Sequence, residues 1–183
     1  MLFSGKLVKL RAFTDDDIKP SVSFMNDMEI ILNLDDDAPM PQSYESQKEW
    51  FEEMRKNKKK YKDFFWAIET MEGKFIGGCG LSRMDSKNRV AQVAIFIGDR
   101  EYLNKGYGTD AMRVLLEFLF EEYNVNKVKL SVFDYNKRAI KSYEKCGFQT
   151  EAILRETVFR YGKYQDMRSM AILKEAYFTN RGV

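Results

Sequence analysis

The chain has 183 residues, 44% hydrophobic and 14% aromatic, with only 3 Pro and 11 Gly, which predicts one packed domain over residues 1–183 with little room for linkers. Thirty basic residues against 28 acidic ones leave a formal charge of +2, so nothing in the total points to DNA or a membrane surface as a partner. There is no His, and the only Cys are Cys79 and Cys146; Ser-His and Cys-His nucleophiles, the commonest zinc ligand and a disulfide framework are therefore excluded, and no metal is expected. No apolar run reaches membrane-spanning length and Met1 to Arg11 has no signal-peptide pattern, so a cytoplasmic location is expected.

Taken in chain order, the alternation from Leu7 to Arg11 predicts a strand, and Thr14 before Asp15 to Asp17 predicts a helix start with acids in its first turn. After Asp35-Asp36-Asp37 and the Pro39-Met40-Pro41 break, Ser43 is placed to cap a second helix carrying Trp50, Phe51 and Met54. Phe64 to Glu69, Phe75 to Leu81 and Val90 to Ile97 read as an antiparallel meander, with Met71 to Lys74 as its first turn. A glycine turn from Asn104 to Gly108 then leads into a predicted amphipathic helix from Thr109 to Tyr123. Val128, Leu130 and Val132 mark another strand, a short helix runs from Lys137 to Lys145 and stops at Gly147, and a hairpin around Tyr161-Gly162-Lys163 closes the chain.

Chemistry concentrates at two places. Leu103-Asn104-Lys105-Gly106-Tyr107-Gly108-Thr109 sits between a strand and a helix, where two glycines let backbone N–H groups converge on an anion and the helix N-terminus and Lys105 add positive charge. The pattern is neither a P-loop nor a dinucleotide-binding fingerprint, and the same turn can connect strand to helix without any ligand. The second place is Asn136 to Phe148, where Asn136 is equally a helix N-cap and Ala139, Ile140 and Tyr143 are equally core residues of one helical face.

Tyr102 to Ala111 resembles motif A of the GNAT N-acetyltransferase family, with Gly106 and Gly108 in its pyrophosphate loop and Leu103 where the family usually has Arg or Gln. Asn136-x-x-Ala139-x-x-x-Tyr143-x-x-x-Gly147-Phe148 resembles motif B. Leu10-Arg11 and Phe159 to Asp166 extend the resemblance over nearly the whole chain and towards the RimJ/RimL-like branch. It implies a mixed α/β fold, with a central, mostly antiparallel sheet, one parallel splayed strand pair and flanking helices.

The resemblance also implies acetyl-CoA as co-substrate, bound by the backbone of Ile95, Phe96 and Ile97 after a bulge, by the loop Leu103 to Thr109, by Asn136 and by Tyr143. Tyr143 would lie beside the sulfur and protonate the departing thiolate, while a backbone N–H of the strand would meet the oxyanion. The Glu that often precedes motif A in this branch falls on Gln92, which can hold an amine or a water but cannot be a base. A base matters for an alkylamine of pKa near 10.4, roughly 0.04% neutral at pH 7, and less for an α-amine near 8.

The acceptor stays open among polyamine, aminoglycoside, amino sugar and protein or peptide N-terminus. Asp35 to Asp37 would attract a cationic acceptor, or are a solvated loop; Arg55 to Lys62 would contact RNA, acidic protein or the coenzyme phosphates, or are a solvated helix end. A homodimer is left open, and a catalytically silent acyl-CoA sensor is the alternative from another class.

Overall fold

The computed structural model describes residues 3–34, 36–56 and 63–181. Among the described residues, seven strands form one sheet in the order β1-β2-β3-β4-β5-β7-β6. The amino-terminal half is an antiparallel meander of β1 (Val8–Arg11), β2 (Phe64–Thr70), β3 (Phe75–Asp85) and β4 (Val90–Ile97). The other half holds β5 (Lys127–Phe133), β6 (Gln149–Arg160) and β7 (Lys163–Leu173), with β7 inserted between β5 and β6. The mixed, mostly antiparallel architecture is as the resemblance implied.

The two halves meet at β4 and β5, which run parallel and pair only at Val90–Gln92 against Lys127–Lys129. Beyond that point β5 continues its full length against β7. Among the described residues the β5-facing edge of β4 from Val93 to Ile97 has no strand partner, and the sheet opens there as a wedge. Burial alternates at Ala91 and Val93 of β4 and at Val128 and Leu130 of β5, so these side chains share one face and pack into the core with Ala111 and Leu115 of α4 (Tyr107–Glu117) and with Leu119 just beyond it. The opposite face carries α1 (Ile18–Met25) and α3 (Tyr44–Lys56) over an aromatic layer in which Phe13 stacks on Phe65, and Phe65 on Phe96.

Several boundaries differ from the sequence-based expectations. The helix expected from Thr109 starts at Tyr107, because Gly106 takes a left-handed φ of 91° and caps it there; past Glu117 it widens into a π-helical turn, Phe118–Glu122. Two short helices were not anticipated, α2 (Met28–Ile31) and α6 (Lys174–Arg181). The bulge expected in β4 lies across the ladder in β3, where Ser82 is the extra residue and its hydroxyl donates to the Gln92 carbonyl at 3.1 Å. Of the basic segment, Asn57 to Lys62 lies outside the described residues, as does Asp35.

Arg11 has a structural task. Its guanidinium donates twice to Asp17, at 2.7 and 2.9 Å, and also bonds Glu69, so it ties β1, the start of α1 and β2 together. The Thr14 N–H donates to the same Asp17 carboxylate at 2.8 Å. At the other end of the hairpin chemistry, Tyr161 and Gly162 both take positive φ, 54° and 74°, the backbone that a tight two-residue β-turn requires.

Candidate active site

The wedge between β4 and β5 opens into a cleft of about 500 Å³. Its walls come from four segments. Ile95, Phe96 and Ile97 form the open edge of β4. Leu103, Asn104, Gly106, Tyr107, Gly108 and Thr109 form the loop and first turn of α4. Asn136, Lys137 and Ala139 with Ser142, Tyr143 and Lys145 line it from α5 (Lys137–Glu144) and its ends. Ile30, Asn33 and Leu34 close it from α2 and the turn behind it.

The loop is built to present donors. Asn104 and Gly106 both adopt positive φ, 60° and 91°, and the second is a value that a side chain would strain. Asp110 N–H is the first to find an intrahelical acceptor, Gly106 C=O at 2.9 Å. The N–H groups of Tyr107, Gly108 and Thr109 therefore start the helix without intrahelical partners, at its positive end and in the cleft wall. Asp110 itself turns away, accepting from Leu7 N–H at 2.7 Å and Val8 N–H at 3.2 Å.

Motif-B residues hold the second wall. Asn136 Oδ1 accepts from Ala139 N–H at 3.1 Å, so it does cap α5 while lining the cleft. Thr109 and Ser142 share a 2.7 Å hydroxyl hydrogen bond, Cys146 Sγ reaches Thr109 O at 3.6 Å, and Arg113 donates to Lys145 O at 3.3 Å, which fixes α5 against α4. Burial pushes the Tyr143 phenol up to about 12 and the Cys146 thiol up to about 11. Burial also raises the Cys79 thiol, inside the core. Both cysteines stay protonated at neutral pH and are poor nucleophiles.

Two expected site residues are not in this cleft. Lys105 is exposed and absent from the walls; the cations there are Lys137, Arg138, Lys141 and Lys145 on the α5 side. The reason is local: with Asn104 and Gly106 both left-handed, the intervening side chain is turned outward. Gln92 lies on the far face of the sheet, lining a separate recess with Arg83, Asp85, Asn88, Val90 and Lys129. Its place at the last paired position of β4 puts it below the opening rather than in it.

The α2 wall was missing from the sequence reading and is held by distant partners. Arg100 makes a bidentate pair with Asp27 and reaches Glu29 at 3.1 Å, Arg138 approaches Glu29 at 3.7 Å, and Tyr135 OH donates to Leu32 O at 2.5 Å. Of the acidic run, Asp36 and Asp37 are exposed, and the Asp37 carbonyl accepts from Arg160 at 2.5 Å.

An open strand edge, a glycine loop feeding a helix N-terminus and a tyrosine-bearing second helix, converging on one cleft, define a coenzyme-dependent acyl-transfer fold. The acetyltransferase (GNAT) domain profile matches residues 8–149, and the chain belongs to that family: it is an N-acetyltransferase. It is 30% identical over 182 residues to the SPbeta prophage-derived uncharacterized N-acetyltransferase YokL of Bacillus subtilis, covering 98% of this chain and 97% of that one. It is 32% identical over 112 residues to the spermidine N(1)-acetyltransferase of Vibrio cholerae, covering 61% of this chain and 64% of the relative. Among solved structures it superposes with TM-score 0.83 and 26% identity on spermidine N-acetyltransferase from Vibrio cholerae in complex with CoA and spermine, covering 93% and 98% of the two chains.

Proposed function

We propose that this chain, as one RimJ/RimL-like domain over residues 1–183, transfers an acetyl group from acetyl-CoA to a primary amine by direct attack in a ternary complex. One observation carries the reading: the unpaired edge of β4, the free N–H groups of α4 and Tyr143 face a single cleft. The residues present suit the co-substrate. Tyr107, Gly108 and Thr109 N–H groups offer donors to the pyrophosphate, supported by the cations of α5. The backbone of Ile95, Phe96 and Ile97 is free to pair with an extended pantetheine arm as a strand would. Asn136 contributes its remaining polar capacity beside the arm.

Tyr143 keeps its proton well beyond neutral pH, so its hydroxyl is available to donate to a departing thiolate. None of the described residues lining the cleft is a carboxylate. In this reading the amine loses its proton to water, and the acceptor's own pKa sets the demand. Polyamines are the acceptor class that the relatives bring forward, and the exposed Asp36 and Asp37 would attract such a cation; aminoglycosides, amino sugars and peptide N-termini share the reactive amine.

The test is release of free CoA from acetyl-CoA with and without amine, for wild type and Tyr143→Phe. Amine-dependent release that falls about a hundredfold in the variant is expected for loss of a general acid. Unchanged turnover in the variant would remove Tyr143 as donor. Tight acetyl-CoA binding with no turnover of any amine would favour the silent sensor instead.

A further inference from the structure

The recess around Gln92 has a charge that bears on the acceptor. Strand register sets three side chains in a row: Arg83 of β3 lies opposite Gln92, and Gln92 opposite Lys129 of β5. Residues in register share a face, and here it is the face opposite α4, since the alternate residues Val93, Val128 and Leu130 are buried in the core. Gln92 and Lys129 are also the last pair before β4 and β5 part. The row therefore stands at the foot of the opening through which an acceptor on this face would reach the thioester.

With Asp85, Asn88 and Val90, the row lines a recess of about 390 Å³. Its one carboxylate among the described residues, Asp85, stays ionised: Asn88 donates to it from its backbone N–H at 3.0 Å and from Nδ2 at 2.8 Å, and the charge of Arg83 adds to the lowering of its pKa. Among the described residues neither Arg83 nor Lys129 forms an ion pair. Arg83 and Lys129 outnumber Asp85, so a bare polycation brought here meets a net positive recess, whereas a carboxylate meets a guanidinium fork, an ammonium and an amide donor. Asp36 and Asp37, the features that favour a polycation, are solvent-exposed and screened, as is Arg83, whereas Lys129 and Gln92 are half-buried.

We infer that the acceptor carries an anionic group, a carboxylate, close to its amine, and that Arg83 and Lys129 bind this group while Gln92 hydrogen-bonds beside it. The inference rests on the acetyltransferase reading and narrows its substrate to amino-acid-like amines. Arg83 and Lys129 are then specificity residues that touch the acceptor without taking part in proton transfer.

The test compares amines with their carboxylate-bearing counterparts: tyramine with tyrosine, cadaverine with lysine, and spermidine alongside. Acetylation is followed by CoA release and mass spectrometry, for wild type, Arg83→Glu and Lys129→Glu. In wild type, kcat/KM for each carboxylate-bearing amine is expected to exceed that of its counterpart by about tenfold. Each charge reversal should erase that ratio, chiefly through KM, with acetyl-CoA affinity and Tm unchanged. The reversals separate recognition from the lower pKa that a carboxylate gives a neighbouring amine. Faster turnover of spermidine or of the decarboxylated amines, or a ratio untouched by both reversals, would overturn the inference. If acetyl-CoA binds and no amine is acetylated, the transferase reading fails and the inference falls with it.

Discussion

A cleft lined by amides, hydroxyls and cations but no described carboxylate makes a statement about rate against pH. With water taking the amine proton, kcat/KM should rise about tenfold per pH unit until the pH reaches the acceptor's own pKa, near 8 for an α-amine and near 10 for an alkylamine. Tyr143 imposes no earlier ceiling, because burial holds it protonated to about 12. A plateau near pH 6 to 7 in the measured profile would reveal a protein base instead. Asn136 makes a second statement. Replacing it with Ala removes the bond to Ala139 N–H and should cost about 1 kcal/mol as a lost cap, while Ser should keep the cap. If Asn136→Ser retains Tm but weakens acetyl-CoA binding, Asn136 contacts the coenzyme as well; unchanged affinity would leave it a cap alone.

Among the elements, the first strand and the start of α1 depend on one cation. Burial raises the Asp17 carboxyl, but hydrogen bonds and charge from Arg11, with the Thr14 N–H, win and hold it below the usual carboxylate range. Asp17 is 2% exposed, so Asp17→Asn removes its charge-assisted bonds to Arg11 and leaves that guanidinium with Glu69 as its remaining carboxylate among the described residues. The cost should be about 2–3 kcal/mol, below the full buried-pair penalty because the Arg11 side chain is 28% exposed, and denaturant unfolding would measure it. A change under about 0.5 kcal/mol, the range of ordinary surface substitutions, would contradict this account of the junction.

The strands were legible because alternating apolar residues and turn glycines state them directly, as at Met71 to Lys74 and Tyr161-Gly162. The four-residue α2 has too few turns for periodicity to show, and α6 follows β7 with no intervening break. In the site, Gly106, Gly108, Asn136 and Tyr143 were visible as spacings. The outward turn of Lys105 follows from two left-handed neighbours, of which only the glycine announces itself in sequence. Ile30 and Leu34 reach the cleft through ion pairs from Asp27 and Glu29 to Arg100 and Arg138, contacts that no local pattern encodes.

Over the whole molecule, stability should be flat through the neutral range and fall at both extremes. Asp27 is lowered by its hydrogen bond from Arg100, and Asp134 by Lys137 and Arg168. With Asp17, they favour the fold above their unfolded pKa values, and that stability is lost as pH falls below about 4 through their lower folded values. Tyr143 works in the opposite sense. The unfolded chain releases its proton near 10 while the fold holds it to about 12, so stability drains away across that window, at up to about 1.4 kcal/mol per pH unit. Tm against pH would show both limbs.

Hydrogen exchange with and without acetyl-CoA tests the central claim most directly, since the coenzyme is placed by backbone groups. Bound acetyl-CoA should slow exchange in Val93 to Ile97, the open edge of β4, and in Tyr107 to Thr109, the first turn of α4, with little change along β6. Binding that leaves both segments exchanging at their free rates would contradict the account.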